Sequence, residues 1–361
     1  MSAQSPSDDR ALLERTVAEI MTDHCPPEVV AAAEGSWSEA LWGALAATGL
    51  SAVGVPEHLG GSGGEPADAA AVLRVVAAHA GPVPLAEALF PVAAGCAVSG
   101  LAFPQGPSTV AVGPGLTIRR TASGVVLDGT APRVPYARFA TRILVAGDGG
   151  GHHPELVALL DPARLTLAAG DNLAGEPRDD LVAAGSEIPT DEVAEVPAGT
   201  AARLHRLGAL ARAVQIAGAL GTVLELTVRY AGEREQFGRP IGRFQAVAHQ
   251  VAVLAGLAAA AGAAADAAVA SLARGSDPVD HGLAIAAAKA RTSAAAGPAA
   301  RIAHQVHGAI GFTQEHRLHH LTRRLWSWRE EFGSDEHWAA ELGRAVVTAG
   351  PDELWPTITR I

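Results

Sequence analysis

Aromatic residues are scarce in this 361-residue chain, at 4% of the total, and cysteine occurs only twice. The two cysteines, Cys25 and Cys96, form no CxxC spacing, which argues against a disulfide framework and a structural zinc site. Basic residues are also in the minority, since 27 Lys and Arg stand against 38 Asp and Glu, for a formal net charge of −11. Because nucleic-acid phosphates are bound by clustered lysine and arginine, this balance argues against a nucleic-acid-binding protein.

Signals for secretion and membrane insertion are missing as well. The segment Met1–Asp9 is polar and acidic, whereas a signal peptide begins with basic residues and continues into an apolar core. The run Val251–Ala265 carries no charge, but it is mostly alanine, is interrupted by Asp266 and is too short to span a bilayer. We therefore expect a soluble, cytoplasmic protein that makes no membrane contact.

The composition changes twice along the chain and predicts three domains, at residues 1–105, 106–198 and 199–361. Apolar residues recur at helical spacing in the first region, which predicts an N-terminal helical domain. Short β-branched runs separated by Gly, Pro and Asp occupy the second region and predict a small antiparallel β domain. These runs are Thr109–Val112, Leu116–Arg119, Val125–Asp128 and Arg142–Ala146.

Long helical stretches make up the third region. They are Leu204–Arg234, Phe244–Ala273 and His281–His307. At a rise of about 1.5 Å per residue, each helix is roughly 40 Å long or more, which is typical of a helical bundle. The predicted fold class is therefore mainly α with a central β domain.

The link between the first two long helices, with the sequence RYAGEREQFGRPIGRFQ, is the most informative segment. It brings Arg234, Arg239 and Arg243 close together on a bend made by glycine and proline. Guanidinium groups bind phosphate through charge-assisted hydrogen bonds that contribute about 1.5–3 kcal/mol each. The same arginines can instead pair with Glu233 and Glu235 at a solvated helix end, and spacing alone favours that alternative.

Three segments together resemble the acyl-CoA dehydrogenase family. The arginine-rich link resembles the family signature RxxFG-PI-xxFQ. Residues 55–63, VPEHLGGSG, resemble its N-terminal VPEExGGxG turn, and residues 305–316, QVHGAIGFTQEH, resemble its C-terminal QxxGGxGFxxE element. The three segments occur in the family's order and cover most of the chain. The resemblance implies a C-terminal four-helix bundle, an FAD cofactor, an acyl-CoA substrate and an electron-transfer flavoprotein as electron acceptor.

The resemblance also implies which residues contact FAD. They are Arg234, Phe237, Gln245, Gln305, Gly308 and Ala309. The first matches the arginine at the pyrophosphate, and the next two match positions that line the adenosine end. The last three match a segment that touches FAD bound mainly by a neighbouring subunit, where glycine lets the backbone approach closely. A cofactor site shared in this way implies a homo-oligomer, or a hetero-oligomer with another family member.

The family's catalytic base is not found at its expected positions. Members remove the α-proton of the acyl group with a glutamate, and a positioned base of this kind contributes about 10²–10⁴ in rate. In many members the glutamate precedes a glycine, but here Phe332 precedes Gly333. Glu331 is the local substitute, and we name it as the candidate catalytic residue. A second subgroup carries the base on the first bundle helix, where the stretch His205–Arg212 contains no acid.

The β domain departs from the family as well. Gly113–Gly115 and Arg133–Ala137 replace the TEPxxGSD and W-[IV]-[TS] segments that wrap the flavin. These departures resemble a heteromeric, actinobacterial-type branch of the family in which two unlike subunits pair. One subunit supplies the base, the other completes the FAD site, and the substrates are often bulky acyl-CoA thioesters such as sterol side chains.

Three functions therefore remain open. The first is an FAD-dependent acyl-CoA dehydrogenase subunit that forms an α,β double bond, and the second is a non-catalytic partner of such an enzyme. The third is a related flavin enzyme that oxidises a carrier-bound acyl group. A metal site is the weaker interpretation of His316, His319 and His320. Their spacing suits one helix face, but neighbouring arginines would repel a cation and the family uses no metal.

Overall fold

The computed structural model confirms a mainly helical protein with a central β-sheet. The structure describes residues 6–121, 124–148, 155–273, 278–353 and 355–356. Its contacts divide the chain into two compact units, Met1–Val72 with Pro82–Ala211 and Leu73–Gly81 with Arg212–Ile361. The division into three domains stays a prediction.

Helices occupy the region before residue 105, as the apolar spacing predicts. They are α1 (Pro6–His24), α2 (Pro27–Ala32), α3 (Glu39–Ala47), α4 (Pro66–Ala78), α5 (Leu85–Glu87) and α6 (Ala93–Ser99), with a π-helical segment at Ala88–Val92. Helix α3 begins after Ser38, whose hydroxyl accepts the Leu41 amide and so caps a free donor of the first turn. The VPEHLGGSG segment is a closed turn, because Gly54 N donates to Gly63 O and Gly63 N donates to Val55 O.

Seven strands form one sheet in the order β5-β6-β2-β1-β3-β4-β7. They are β1 (Ser108–Thr121), β2 (Gly124–Pro135), β3 (Arg142–Asp148), β4 (Glu155–Leu160), β5 (Thr166–Ala168), β6 (Arg178–Ile188) and β7 (Val193–Val196). The purely antiparallel sheet of the sequence prediction is wrong, because β1 and β3 pair in parallel. Strand spacing predicts hairpins but does not say which edge the next strand joins, and β3 joins the edge of β1 that β2 leaves open.

Two predicted β runs form a single bulged strand. Strand β1 spans both runs, and its register with β3 shifts between Val112 and Thr117. The bulge contains Gly115, where an added Cβ would lie 2.5 Å from the Thr130 carbonyl oxygen. Glycine is therefore required here, because the β2 backbone approaches too closely for a side chain.

The C-terminal unit contains the long helices that the sequence predicts. They are α7 (Thr200–Glu233), α8 (Gln245–Ala273) and α9 (Pro278–His307), followed by α10 (Leu318–Trp328) and α11 (Asp335–Ala349). Each of the three long helices begins or ends within a few residues of its predicted bound. Fully buried alanines, such as Ala286 and Ala296 on α9, let neighbouring helices approach closely.

Helices α7 and α8 are long and apolar enough to cross a membrane by length and composition. The expectation that the apolar run of α8 is too short for a bilayer is wrong, because Asp266 does not end the helix. The apolar 18-residue window of α7 is 83% buried, as in the core helix of a folded domain, whereas that of α8 is 22% buried. Helix α8 therefore carries an open apolar surface.

Candidate active site

The arginine-rich link forms a small hairpin directly after helix α7. Its strands, β8 (Glu235–Gln236) and β9 (Arg239–Pro240), are joined by Phe237 and Gly238, whose φ angles are 53° and 77°. Two successive positive φ angles are typical of a type I′ turn, in which glycine is favoured and phenylalanine is uncommon. The turn leaves Phe237 93% exposed.

The three arginines of this link are exposed around the hairpin. Within the described residues, Arg234, Arg239 and Arg243 form no ion pair, so the alternative of arginines neutralised by neighbouring glutamates is not observed. The Arg239 guanidinium lies 4.3 Å from the centre of the Phe244 ring. Gln245, the first residue of α8, is exposed beside them. Open positive charge next to aromatic rings suits a ligand that is both anionic and aromatic.

The second predicted cofactor segment lies at the end of α9. Gln305, Gly308 and Ala309 are all exposed, and residues Gly308–Phe312 form a 3₁₀ turn. Gly308 has a φ of 63°, and nothing in the described structure lies within 4 Å of the position of an added Cβ. Within this chain, the left-handed backbone therefore explains the glycine better than a close approach does.

A cluster of histidines supports this turn. The His304 ring stacks on Phe312 at 4.3 Å, and the His307 ring stacks on Tyr230 at 4.7 Å and meets His316 at 4.8 Å. Burial, followed by the charges of neighbouring histidines, lowers the pKa of both His304 and His316. Burial also lowers the pKa of His307, although the Ala303 carbonyl oxygen 2.7 Å from Nδ1 partly offsets the effect. These rings therefore favour the neutral state.

The histidines do not form the helical face proposed for a metal. His316 precedes α10, so it does not share that helix with His319 and His320. The His319 and His320 rings lie 3.9 Å apart between centroids, and His319 Nδ1 lies 2.8 Å from the His316 carbonyl oxygen. Across the part of the chain that the structure describes, no group of three or more His, Cys, Asp or Glu is arranged to hold a metal ion.

The two predicted cofactor segments lie at the same end of the bundle. Stacking of Tyr230 on His307 places the C-terminal ends of α7 and α9 side by side, next to Arg234 and Gly308. Glu331 is not brought to this end. Its partner Arg212 lies 22 residues before Arg234 along the chain, which corresponds to about 33 Å along the helix.

Residues 329–333 form the turn where the resemblance places the catalytic base. Phe332 has a φ of 54° and Gly333 a φ of 95°, so both residues are left-handed. A phenylalanine in this region is strained, and such residues cluster at functional sites. The Phe332 side chain is half-buried, and the Arg212 guanidinium lies 5.5 Å from its ring centre.

Glu331 points away from solvent into a buried polar cluster. Arg212 Nε donates to Glu331 Oε2 at 2.7 Å, and an Arg212 terminal nitrogen donates to the Gln215 side-chain oxygen at 2.6 Å. The Arg212 and Glu331 side chains are only 2% and 8% exposed. A carboxylate held in this way is already bound to its cation and is not free to accept a proton from a substrate. Its catalytic role stays a prediction, and this geometry does not favour it.

Sequence reasoning missed the buried lysine of the same cluster. Lys289 on α9 is fully buried, and its ammonium donates at 2.8 Å to the Ser293 hydroxyl and to the carbonyl oxygens of Arg329 and Gly333. Burial lowers the pKa of Lys289 to about 7, and nearby Glu331 partly offsets this shift. A signal was present, because Lys289 is the only lysine in the chain.

The β-domain segments that depart from the family pattern are held by contacts within the N-terminal unit. Arg133 and Tyr136 both have left-handed φ angles, of 57° and 51°. Arg133 N donates to Asp180 at 2.8 Å, and the Arg178 guanidinium lies 5.6 Å from the centre of the buried Tyr136 ring. The Arg133 amide and the Tyr136 ring therefore make contacts within the β domain, and neither residue is a predicted cofactor contact.

Comparison with known families places both helical regions in one family. Residues 7–98 match the model described as acyl-CoA dehydrogenase, N-terminal domain, and residues 201–347 match acyl-CoA dehydrogenase, C-terminal domain. The chain is similar to the acyl-CoA dehydrogenase IpdE2 of Mycobacterium tuberculosis, with 31% identity over 97% of this chain and 99% of the relative.

Two solved structures share the whole fold. The ChsE4–ChsE5 complex from Mycobacterium tuberculosis contains a chain that superposes with a TM-score of 0.84 at 25% identity, covering 97% of this chain and 99% of that one. The steroid ACAD Tcur3481–Tcur3483 gives a TM-score of 0.86 at 25% identity, with 96% and 99% coverage. The similarity thus extends over the β region that the family models leave unmatched.

Proposed function

Because the chain belongs to the acyl-CoA dehydrogenase family, whose members are oxidoreductases, we propose that it is one subunit of a heteromeric, FAD-dependent acyl-CoA dehydrogenase. The observation that carries this proposal is a contrast between two sites. The arginines of the hairpin are exposed, whereas the described residues place no accessible carboxylate at the position of the base. The chain keeps exposed residues suited to a cofactor, whereas Phe332 occupies the base position and Glu331 is buried in an ion pair.

The exposed residues at the end of the bundle fit FAD. Arg234, Arg239 and Arg243 would hold the pyrophosphate, since their charges are not neutralised within the described chain. Phe237 and Gln245 would line the adenosine end, because both are exposed on the same hairpin. When bound, FAD supplies the acceptor for the hydride that leaves the β-carbon of the acyl group.

A partner subunit would supply the general base. A base must reach the substrate proton within hydrogen-bond distance, and Glu331 is directed to Arg212 instead.

The segment at the end of α9 would contribute to a cofactor site at a subunit interface. Gln305, Gly308 and Ala309 are exposed and would complete a cofactor site across that interface. The apolar outer surface of α8 supports an oligomer, because an exposed apolar helix face is commonly covered by another chain.

The substrate class we propose is a bulky acyl-CoA thioester such as a steroid side chain. Support for this substrate class comes from the Tcur3481–Tcur3483 protein, which is described as a steroid ACAD. The ChsE4–ChsE5 structure, which is a complex of unlike subunits, supports the heteromeric assembly. The same family membership supports an electron-transfer flavoprotein as the electron acceptor. The cytoplasmic location expected from the sequence stays part of this proposal.

A non-catalytic role is the second candidate, and the Arg212–Glu331 pair favours it. In that case the chain would stabilise a dehydrogenase whose own active site is complete. The two candidates differ in whether FAD binding depends on this chain's arginines, which a spectrum of the assembled enzyme can report.

The proposal is tested by purifying the chain alone and together with a family member that carries a glutamate at the base position. We expect flavin absorbance to be bleached by steroid-side-chain acyl-CoAs only when the partner is present. The chain alone, saturated with FAD, should show a rate lower by about 10²–10⁴ because it lacks a positioned base. Full bleaching by the chain alone would refute the proposal.

A further inference from the structure

A strained turn is held in place by a buried cation in the C-terminal unit. Phe332 is left-handed, with a φ of 54°, although it carries a bulky side chain. Such a conformation costs free energy and persists only where the surrounding structure holds it. The contacts that hold residues 329–333 therefore indicate what this turn is built to do.

Lys289 contacts the turn on both sides of Phe332. Its ammonium donates at 2.8 Å to the carbonyl oxygens of Arg329 and Gly333. Its third hydrogen bond, also 2.8 Å, goes to the Ser293 hydroxyl one helical turn further along α9. An ammonium has three donors, so all of them are used, and two fix the ends of the turn relative to α9.

Two further contacts fix the middle of the turn. Trp338 Nε1 donates to the Phe332 carbonyl oxygen at 2.9 Å, and the Arg212 guanidinium lies 5.5 Å from the Phe332 ring centre. An added Cβ at Gly333 would lie 2.6 Å from Trp338 Nε1, so the indole packs where only glycine fits. The backbone of residue 332 is thus determined by contacts from α7, α9 and α11.

A buried cation is a costly way to fill a core position. Lys289 is fully buried, and its three acceptors are uncharged. The charged groups that act on it are Glu331, Glu330 and Asp335, which favour the ammonium, and Arg212, which opposes it. An apolar side chain would pack here without that cost, but it could not bind two carbonyl oxygens of a strained turn.

We propose that Lys289 is a positioning residue, which clamps the Phe332–Gly333 turn so that the side chain of residue 332 is held at the acyl site. The inference rests on the proposed function, because only the family resemblance identifies this turn as the place of the base. The clamp itself is defined by the contacts above and can be measured without any substrate.

The first test uses Trp338 as a reporter in the full chain. The protein is labelled with 5-fluorotryptophan, and its Trp338 signal is assigned by Trp338→Phe. We expect Lys289→Met to shift this signal and to speed amide hydrogen exchange at residues 329–333 by at least about tenfold, as expected when a local clamp is lost. Arg291→Met is the matched control, since it removes an exposed positive charge of α9 that makes no hydrogen bond or ion pair within the described residues, and it should leave both readouts close to wild type.

A pH titration separates a positioning role from a merely structural one. The titration is measured in a His337→Gln background, because the ionisable His337 ring lies 5.1 Å from the Trp338 ring. In that background the Trp338 signal should move with the deprotonation of Lys289, whose pKa is lowered to about 7, and Lys289→Met should abolish this titration. An unshifted signal, unchanged exchange and an intact titration in a folded Lys289→Met protein would overturn the clamp.

The second test asks whether the turn lies at the acyl site. Phe332→Glu should install a base and allow acyl-CoA to bleach bound FAD, and adding Lys289→Met should reduce that rate at least about tenfold at equal flavin content. Equal rates with and without Lys289 would overturn the positioning role. If Phe332→Glu is inactive while the Trp338 signal responds as expected, the clamp stands but residue 332 does not lie at the acyl site. The proposed function is tested separately, by whether bleaching of the flavin requires the partner subunit.

Discussion

The C-terminal unit uses arginine in opposite ways within helix α7 and directly after its end. At the C-terminal end, Arg234 and its neighbours are exposed and lack ion-pair partners within the described chain. Twenty-two residues earlier, Arg212 is 1% exposed and hydrogen-bonded to Glu331 and Gln215. Charges without internal partners are available to a ligand, whereas buried and satisfied charges serve the protein's own fold. An arginine in the sequence therefore indicates a ligand site only once the structure shows that it has no partner within the chain.

The largest effect should come from breaking the buried pair. Arg212→Met leaves the Glu331 carboxylate in a buried position without its cation, and removing one partner of such a pair typically costs about 3–5 kcal/mol. The free energy of unfolding in urea measures the loss. Arg243→Met at the exposed end is the control and should cost no more than about 0.5 kcal/mol.

Replacing both partners sharpens this comparison. Arg212→Met combined with Glu331→Met should recover most of the lost stability, because no uncompensated charge remains. If Arg212→Met and Arg243→Met cost the same, the buried and the exposed arginines do not differ in the way we describe.

The pH dependence of stability should identify Lys289 as a second buried charge. Burial lowers its pKa from 10.5 to about 7. Between these values the unfolded chain binds a proton that the folded protein releases, so the folded state gains stability as the pH rises. Relative to Lys289→Met, the wild-type free energy of unfolding should rise by at most about 1.4 kcal/mol per pH unit above pH 7, and the difference should be constant below it. Parallel pH profiles of the two proteins would contradict this assignment.

A smaller effect, on ligand binding alone, is expected for the exposed Arg234 directly after α7. Arg234→Ala should lower FAD occupancy without unfolding the protein, because it removes charge-assisted hydrogen bonds worth about 1.5–3 kcal/mol each. Flavin absorbance per chain after gel filtration measures the change. Arg203→Ala, an exposed arginine near the start of α7, should leave the occupancy unaltered. Equal FAD occupancy in both variants would mean that Arg234 is an ordinary surface residue with no role in FAD binding.

The smallest expected effect concerns the 3₁₀ turn after α9. Gln305→Leu with Gly308→Val should weaken both FAD binding and subunit association, since a β-branched residue at a φ of 63° is disfavoured by roughly 1–2 kcal/mol. Flavin content and mass by light scattering are the measurements. Gly343→Val on α11, where an added Cβ meets nothing within 4 Å in the described structure, is the control. A double variant that keeps its flavin and native mass would argue against a shared cofactor site.

Sequence patterns predicted the long helices because each pattern is local. Apolar spacing and the breakers Gly238 and Pro240 place α7 and α8 within a few residues of their observed bounds. The parallel pairing of β1 with β3 was not predicted, because that choice depends on contacts between strands that are not adjacent in sequence.

The buried cluster shows why the site was only partly predictable. Arg212 and Glu331 are 119 residues apart in sequence, so no local spacing indicates their ion pair. Motif matching identified residue 332 as the missing base position, but it could not reveal that Lys289 and Trp338 hold the same turn. The exposed segments were easier to predict, because the family signature is contiguous there.

The central claim is that this chain contributes a cofactor surface but not the catalytic base. The most direct test is kcat of the enzyme assembled with a base-carrying partner, measured with wild-type chain and with Glu331→Gln. Because the glutamine of this variant would still accept a hydrogen bond from Arg212, we predict an assembled enzyme with unchanged kcat. A fall of about 10²–10⁴ at full flavin content would make Glu331 the base and contradict the account.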